Sequence, residues 1–153
     1  MTRIHERIET ALPIDDAFDY VADFANSHAW DPGTLSSRRL DSGPVRAGAR
    51  YLLDVRMGDR VAPMEYRISV FEPPTRVILT GEGSGVTAVD DIRFEPAGGG
   101  TRVDYTADIK LAGFLGLIQP LLGRAFGNLA RNAVGGMQRT LDERAAAAGT
   151  DPS

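Results

Sequence analysis

The chain has 153 residues, no cysteine and a net charge of −4, with 42% hydrophobic and 25% charged residues. That length favours one domain around one core, and the composition is that of a globular chain, not a disordered one. Disulfides, thiolate metal sites and cysteine nucleophiles are excluded, and the overall charge excludes a strong basic field for nucleic acid or anionic lipid headgroups.

Residues 3–12 alternate Ile4, Glu6, Ile8, Thr10 and Leu12 against His5, Arg7 and Glu9, a period of two that predicts a strand. Residues 1–7 lack the apolar core of a secretory signal and no apolar run is long enough to span a bilayer, so a cytoplasmic chain without stable membrane insertion is expected. Pro13 opens a helix, with Asp15 and Asp16 in its first turn and Ile14, Ala17, Phe18, Val21 and Phe24 as its apolar stripe. A second, shorter turn runs over residues 26–32. Strand patterns follow at 35–42, 49–57, 62–71, 76–80, 86–95 and 101–111, punctuated by Ser42-Gly43-Pro44, Gly58-Asp59, Pro73-Pro74, a glycine-rich turn at 81–85 and the triple glycine at 98–100. They read as an antiparallel meander with one wet and one dry face. After Gly113 the apolar spacing changes to three and four. Pro120 breaks or kinks this segment, which leaves one long helix over 121–146, its exposed face carrying Arg124, Arg131, Arg139, Asp142, Glu143 and Arg144. Residues 1–148 form the single domain and 149–153 a frayed tail.

The layout is α+β: a seven-stranded antiparallel sheet, two short helices after the first strand, and a long C-terminal helix. One sheet with one apolar face must cover it, and the economical solution curls the sheet around the long helix. A curved sheet and a straight helix do not pack flush along their whole length, so an internal cavity is expected between them, the usual seat of small-molecule binding.

Several stretches carry a resemblance: Pro13-Ile14-Asp15-Asp16-Ala17-Phe18, His28-Ala29-Trp30-Asp31-Pro32, Val45-Arg46-Ala47-Gly48, Phe71-Glu72-Pro73-Pro74, and Gly98-Gly99-Gly100-Thr101-Arg102-Val103. In these, and in the order of its elements, the chain resembles the START/Bet v 1-like (SRPBCC) superfamily, and within it the bacterial polyketide cyclase/dehydrase and lipid-transport group. The resemblance implies a helix-grip fold and a pocket. It implies no single reaction, since the matching stretches are turn and packing signatures and the superfamily's activities run from lipid carriage to aromatic cyclisation.

The alternation points Tyr51, Leu53, Tyr66, Ile68, Ala88, Asp90, Ile92 and Tyr105 to the dry face, and helical spacing brings Phe126, Ala133 and Met137 towards it. With Trp30, these are the expected ligand-binding residues. Trp30 either lines the cavity mouth or pins the short turn to the first helix. Asp90 is the one catalytic candidate: a ligand anchor or a general base in a greasy cavity, unless a slipped register turns Asp91 inward instead. Glu6 shares the dry face but sits near the strand's start, where solvent reaches it. His5 and His28 have no third ligand at metal spacing, so neither a metal nor another cofactor is expected. The glycines around Pro120 and the Gly135-Gly136 pair mark either a mobile gate or close helix-on-sheet packing. Arg124, Arg131 and Arg139 either favour an anionic partner or form a solvated face.

The leading expectation is a binding or carrier protein for a hydrophobic small molecule, such as a lipid, polyketide or isoprenoid, present as a monomer or weak homodimer. A cyclase or dehydratase using the same cavity, and a protein-interaction module, are the alternatives.

Overall fold

Period two in the sequence becomes one curved sheet. The computed structural model describes residues 2–83 and 85–149. Its strands are β1 (Thr2–Thr10), β2 (Thr34–Arg39), β3 (Arg50–Met57), β4 (Arg60–Glu72), β5 (Arg76–Gly83), β6 (Val86–Ala97) and β7 (Gly100–Leu111). All pair antiparallel, in the order β1-β7-β6-β5-β4-β3-β2. Between β1 and β2 lie α1 (Ile14–Ala22), a 3-10 turn (Phe24–Asn26) and α2 (Ser27–Trp30). After β7 come α3 (Phe114–Ile118), a second 3-10 turn (Gln119–Leu122) and α4 (Gly123–Gly149). The sheet grips the long helix, the helix-grip arrangement expected from the sequence.

The two faces of the sheet are chemically distinct. On the concave face, Tyr51, Leu53, Met64, Ile68, Val77, Leu79, Ile92, Phe94 and Val103 are buried. On the convex face, charges pair across strands: Arg3 with Asp108, Arg7 with Asp104, Arg76 with Asp91, and Arg102 with both Glu9 and Glu95. These pairs fall at or beside register partners, where opposite charges stabilise modestly. Phe18 of α1 closes one end of the core against Phe71 and Phe94, at ring-centroid distances of 5.5 and 5.3 Å.

Three boundaries depart from the sequence reading. The glycine-rich segment 81–85 is not all turn, because β5 runs on through Gly83. Gly81 pairs with Tyr66, whose ring lies over it. A Cβ at Gly81 would stand 2.5 Å from that ring, so the missing side chain makes room for an aromatic one and the strand continues. The strand expected at 35–42 ends at Arg39, where the Asp41 carboxylate draws the chain into a loop by accepting from the Arg39 side chain and the Arg50 backbone N–H. The long helix starts at Gly123, since the turn around Pro120 is 3-10, and it continues through Gly149, which therefore does not belong to a frayed tail. The rest of that expected tail, 150–153, lies outside the described residues.

Candidate functional site

The buried residues of α4 begin near its middle: Val134, Gly136, Met137 and Leu141. Gly136 lies so close to α2 that an added Cβ would come within 1.9 Å of the Trp30 carbonyl oxygen. Towards its N-terminus the helix packs less tightly, with Phe126 and Ala133 only partly buried against the core. Between it and strands β1 and β7 runs a cleft of about 110 Å³. Its walls are Ile4 and Glu6 from β1, Tyr105, Ala107 and Ile109 from β7, and Phe126, Leu129, Ala130, Ala133 and Val134 from α4, with Asp31 at its edge.

The hollow is narrower than the sequence reading expects, since small-molecule pockets usually measure roughly 300–1,000 Å³. Rings fill the difference. Phe24 packs against Trp30, Tyr51 and Tyr66 at centroid distances of 6.0, 6.4 and 5.1 Å, and Trp30 meets the Tyr105 ring edge-on at 6.3 Å. Trp30 is thus part of the packed core, although its Nε1–H finds no acceptor among the described residues. Tyr51, Leu53, Ile68, Ile92 and Met137 are likewise core residues away from the cleft lining. Ala88 and Tyr66 are buried beside them. Of the predicted ligand-binding residues, Tyr105, Phe126 and Ala133 line the cleft, and Asp90 lies directly behind Tyr105.

Asp90 faces inward in register, paired with Ala107 of β7 and Leu79 of β5, and is 6% exposed. The Tyr105 hydroxyl donates to its Oδ2 at 2.6 Å. Burial pushes the Asp90 carboxyl up to about 7. The Tyr105 hydrogen bond pulls the other way, and the negative charge of Asp31 adds to the rise. Both phenols are held well above their ordinary range, Tyr105 by burial and by Asp90, and Tyr66 by burial and by the charges of Asp90 and Asp31. Asp31 is itself raised by burial, against the Gly33 N–H and Thr34 hydroxyl that it accepts at 2.8 and 3.0 Å. The polar groups of a mostly apolar lining are therefore two carboxylates and one phenol, Glu6, Asp31 and Tyr105, and no Lys, Arg or His lines it among the described residues.

Three participants escape the sequence reading. Asp31 reads as a turn residue in Trp30-Asp31-Pro32, and only the return of α2 against α4 brings it to the cleft. Glu6 reads as solvated, yet the helix lies across its end of β1. Gln119, buried in an apolar run, fastens the 3-10 turn to the sheet. Its Nε2 donates to Thr2 Oγ1 at 2.9 Å and to the Ile109 carbonyl at 2.7 Å, and its Oε1 accepts from the Leu111 N–H at 3.1 Å. An amide among leucines is the signal that marks it. The histidines sit on the outside: His5 faces Asp104, and His28 holds Ser37 and the Ala25 carbonyl. A larger recess of about 540 Å³, between α1 and the end of α4, is an open polar groove beside Asp16, Asp19 and Arg144, and it contains no buried ionisable group.

A family model described as "Polyketide cyclase / dehydrase and lipid transport" matches residues 1–149. Among solved structures, TTHA0849 from Thermus thermophilus superposes with a TM-score of 0.76 at 17% identity, covering 97% of this chain and 99% of the other. A START superfamily protein from Mycobacterium smegmatis gives 0.73 at 14% identity, over 95% and 98% of the two chains. Ara h 8.0201 gives 0.57 at 13% identity, over 88% and 97%. At these identities the likeness is one of fold. A search of curated proteins returned no match.

Proposed function

Since the chain belongs to the polyketide cyclase / dehydrase and lipid transport family, we propose that it binds a hydrophobic small molecule in the cleft between α4, β1 and β7, with a hydrogen-bond-donating group turned towards Asp31, Glu6 and the Asp90–Tyr105 pair. The observation that carries this reading is the composition of the cleft: a mostly apolar lining whose polar groups are Glu6, Asp31 and the Asp90-bonded Tyr105, with no cation among the described residues. Apolar burial supplies affinity at roughly 25 cal/mol per Å² removed from water. Like charges in a poorly solvated site repel, so a carboxylate headgroup is disfavoured and an alcohol or amine favoured. A ligand larger than the present cleft enters when the N-terminal half of α4 swings out. That motion leaves the anchor at Gly136, Met137 and Leu141 in place.

The test is a matched series of decylamine, decanol and decanoate, read by calorimetry and native mass spectrometry. The amine and alcohol are expected to bind, the amine more tightly as pH rises through 7 and Asp90 ionises, and decanoate at least tenfold more weakly. Filling the cleft with Ala133→Phe is expected to abolish binding. Equal affinity for all three, or binding that survives the filled cleft, overturns the reading.

One observation favours a second reading, proton transfer in a cyclisation or dehydration. Tyr105 reaches both the cleft and Asp90, a carboxyl poised near 7. With Asp90 protonated, the pair forms a relay in which the phenol passes a proton to a substrate oxygen and recovers one from Asp90. Turnover that collapses in Asp90→Asn while binding persists would single this reading out.

A further inference from the structure

The overall charge conceals a local reversal. From Ile109 to Leu141, 33 consecutive residues contain four bases, Lys110, Arg124, Arg131 and Arg139, and no acid, whereas the other 120 residues hold 13 bases and 21 acids. All four bases are exposed, and none forms an ion pair among the described residues, in contrast to the arginines that hold carboxylates across the convex face of the sheet. Spacings of four and seven put Arg124, Asn128 and Arg131 on one face of α4, and Arg131 reaches back to the Asn128 side chain. On the same stretch, Leu117 and Leu121 are 77% and 83% exposed, and Leu129, on the lip of the cleft, is 42% exposed. Among the described residues, the other large apolar side chains left in water are Leu35 and Val61, on β2 and β4.

Leucines exposed beside unpaired bases, with acids missing from the whole stretch, are the makeup of a surface that lies at an anionic lipid interface. We propose that α3, the 3-10 turn at Gln119–Leu122 and the N-terminal half of α4 form a docking face for an anionic lipid bilayer. Leu117 and Leu121 dip into the headgroup–acyl boundary, and Arg124 and Arg131 meet the lipid phosphates. No helix of the described residues is long and apolar enough to cross a membrane, and the proposed contact is an interfacial one. Charge complementarity selects the occupant. A second copy of this chain docked face to face through the same basic stretch would set like charges against each other, and a neutral protein surface would leave the bases unanswered. The proposal does not depend on which molecule the cleft takes.

The experiment is co-sedimentation of the full chain with vesicles of phosphatidylcholine alone and of phosphatidylcholine with phosphatidylglycerol, at low and high salt. Binding is expected to the anionic vesicles, at least tenfold weaker to the neutral ones, and weakened by salt. Arg124→Gln with Arg131→Gln is expected to lower affinity roughly 25-fold, about fivefold per base. Leu117→Ser with Leu121→Ser is expected to lower it at least tenfold. Both pairs are solvent-facing, so thermal unfolding and decylamine binding without vesicles should match the parent chain. Absence of vesicle binding, equal binding to both compositions, or undiminished binding by the variants overturns the proposal. So does a homodimer that dissociates in the leucine variant and ignores vesicles. Vesicle binding in a chain that takes none of the decyl ligands leaves the docking face standing and removes the cleft reading alone.

Discussion

Two pairs of identical neighbours divide this molecule. Asp90 and Asp91 are consecutive on β6, and Gly135 and Gly136 are consecutive on α4, yet each pair is split between interior and exterior. Asp90 points to the concave side, and burial lifts its carboxyl to about 7. Asp91 points to the convex side, where burial also pushes upward, but Arg76 and Arg93 outweigh it and hold the carboxyl below its ordinary value. Gly136 meets the Trp30 carbonyl, whereas Gly135 has nothing within 4 Å of where a Cβ would be. Residue type says little in either pair. The face it occupies decides its charge state and its tolerance to change.

The strongest way to sharpen the contrast is Asp90→Asn. A carboxyl whose pKa is raised on folding is held more tightly as the acid, so stability is lost as pH rises from the unfolded value near 4 to the folded value near 7. Three pH units correspond to about 4 kcal/mol at 1.36 kcal/mol each. Asp90→Asn is therefore expected to stabilise by up to roughly that amount at pH 8 and by little at pH 4. Urea unfolding at the two pH values checks it, and a variant less stable at pH 8 breaks the comparison.

Next in size is Gly136→Ala. Separating α2 from α4 to admit one methyl group is expected to cost about 3 kcal/mol, the upper range for overpacking. Thermal melting should fall sharply while far-UV dichroism keeps the helix. Asp91→Asn should act opposite to its neighbour, destabilising by about 1 kcal/mol above pH 4 and by progressively less as acid protonates the wild-type carboxyl, since its pairs are only partly buried. The smallest effect belongs to Gly135→Ala, which gains about 1 kcal/mol of helix propensity with nothing in its way. Similar melting temperatures for the two glycine variants would show that the α2–α4 approach yields more easily than its geometry suggests.

The same division explains what the sequence can disclose. Alternation along β6 puts Asp90 beside Ala88, Ile92 and Phe94, because a strand's period fixes faces without tertiary information. It cannot give volume. Whether a concave face encloses a cavity depends on rings arriving from several elements at once, and Phe24, Trp30, Tyr51 and Tyr66 fill most of the expected hollow. Asp31 and Gln119 are illegible for a related reason. Each sits in a short irregular segment with no period to read, and each acquires its role from partners distant in sequence. Of the glycines read as either gate or packing, Gly116 and Gly136 are close packing, each facing a backbone oxygen, of Leu111 and of Trp30.

The pairing of β1 with β7 also bears on how the chain is born. Thr2 lies opposite Ile109, and Thr10 opposite Thr101. At a ribosome adding roughly 5–20 residues per second, the first strand waits about 5–20 s for its only neighbour in the sheet. During that interval Ile4 and Ile8 have neither ladder nor helix over them, so β1 stays an unpaired, partly apolar strand until β7 emerges.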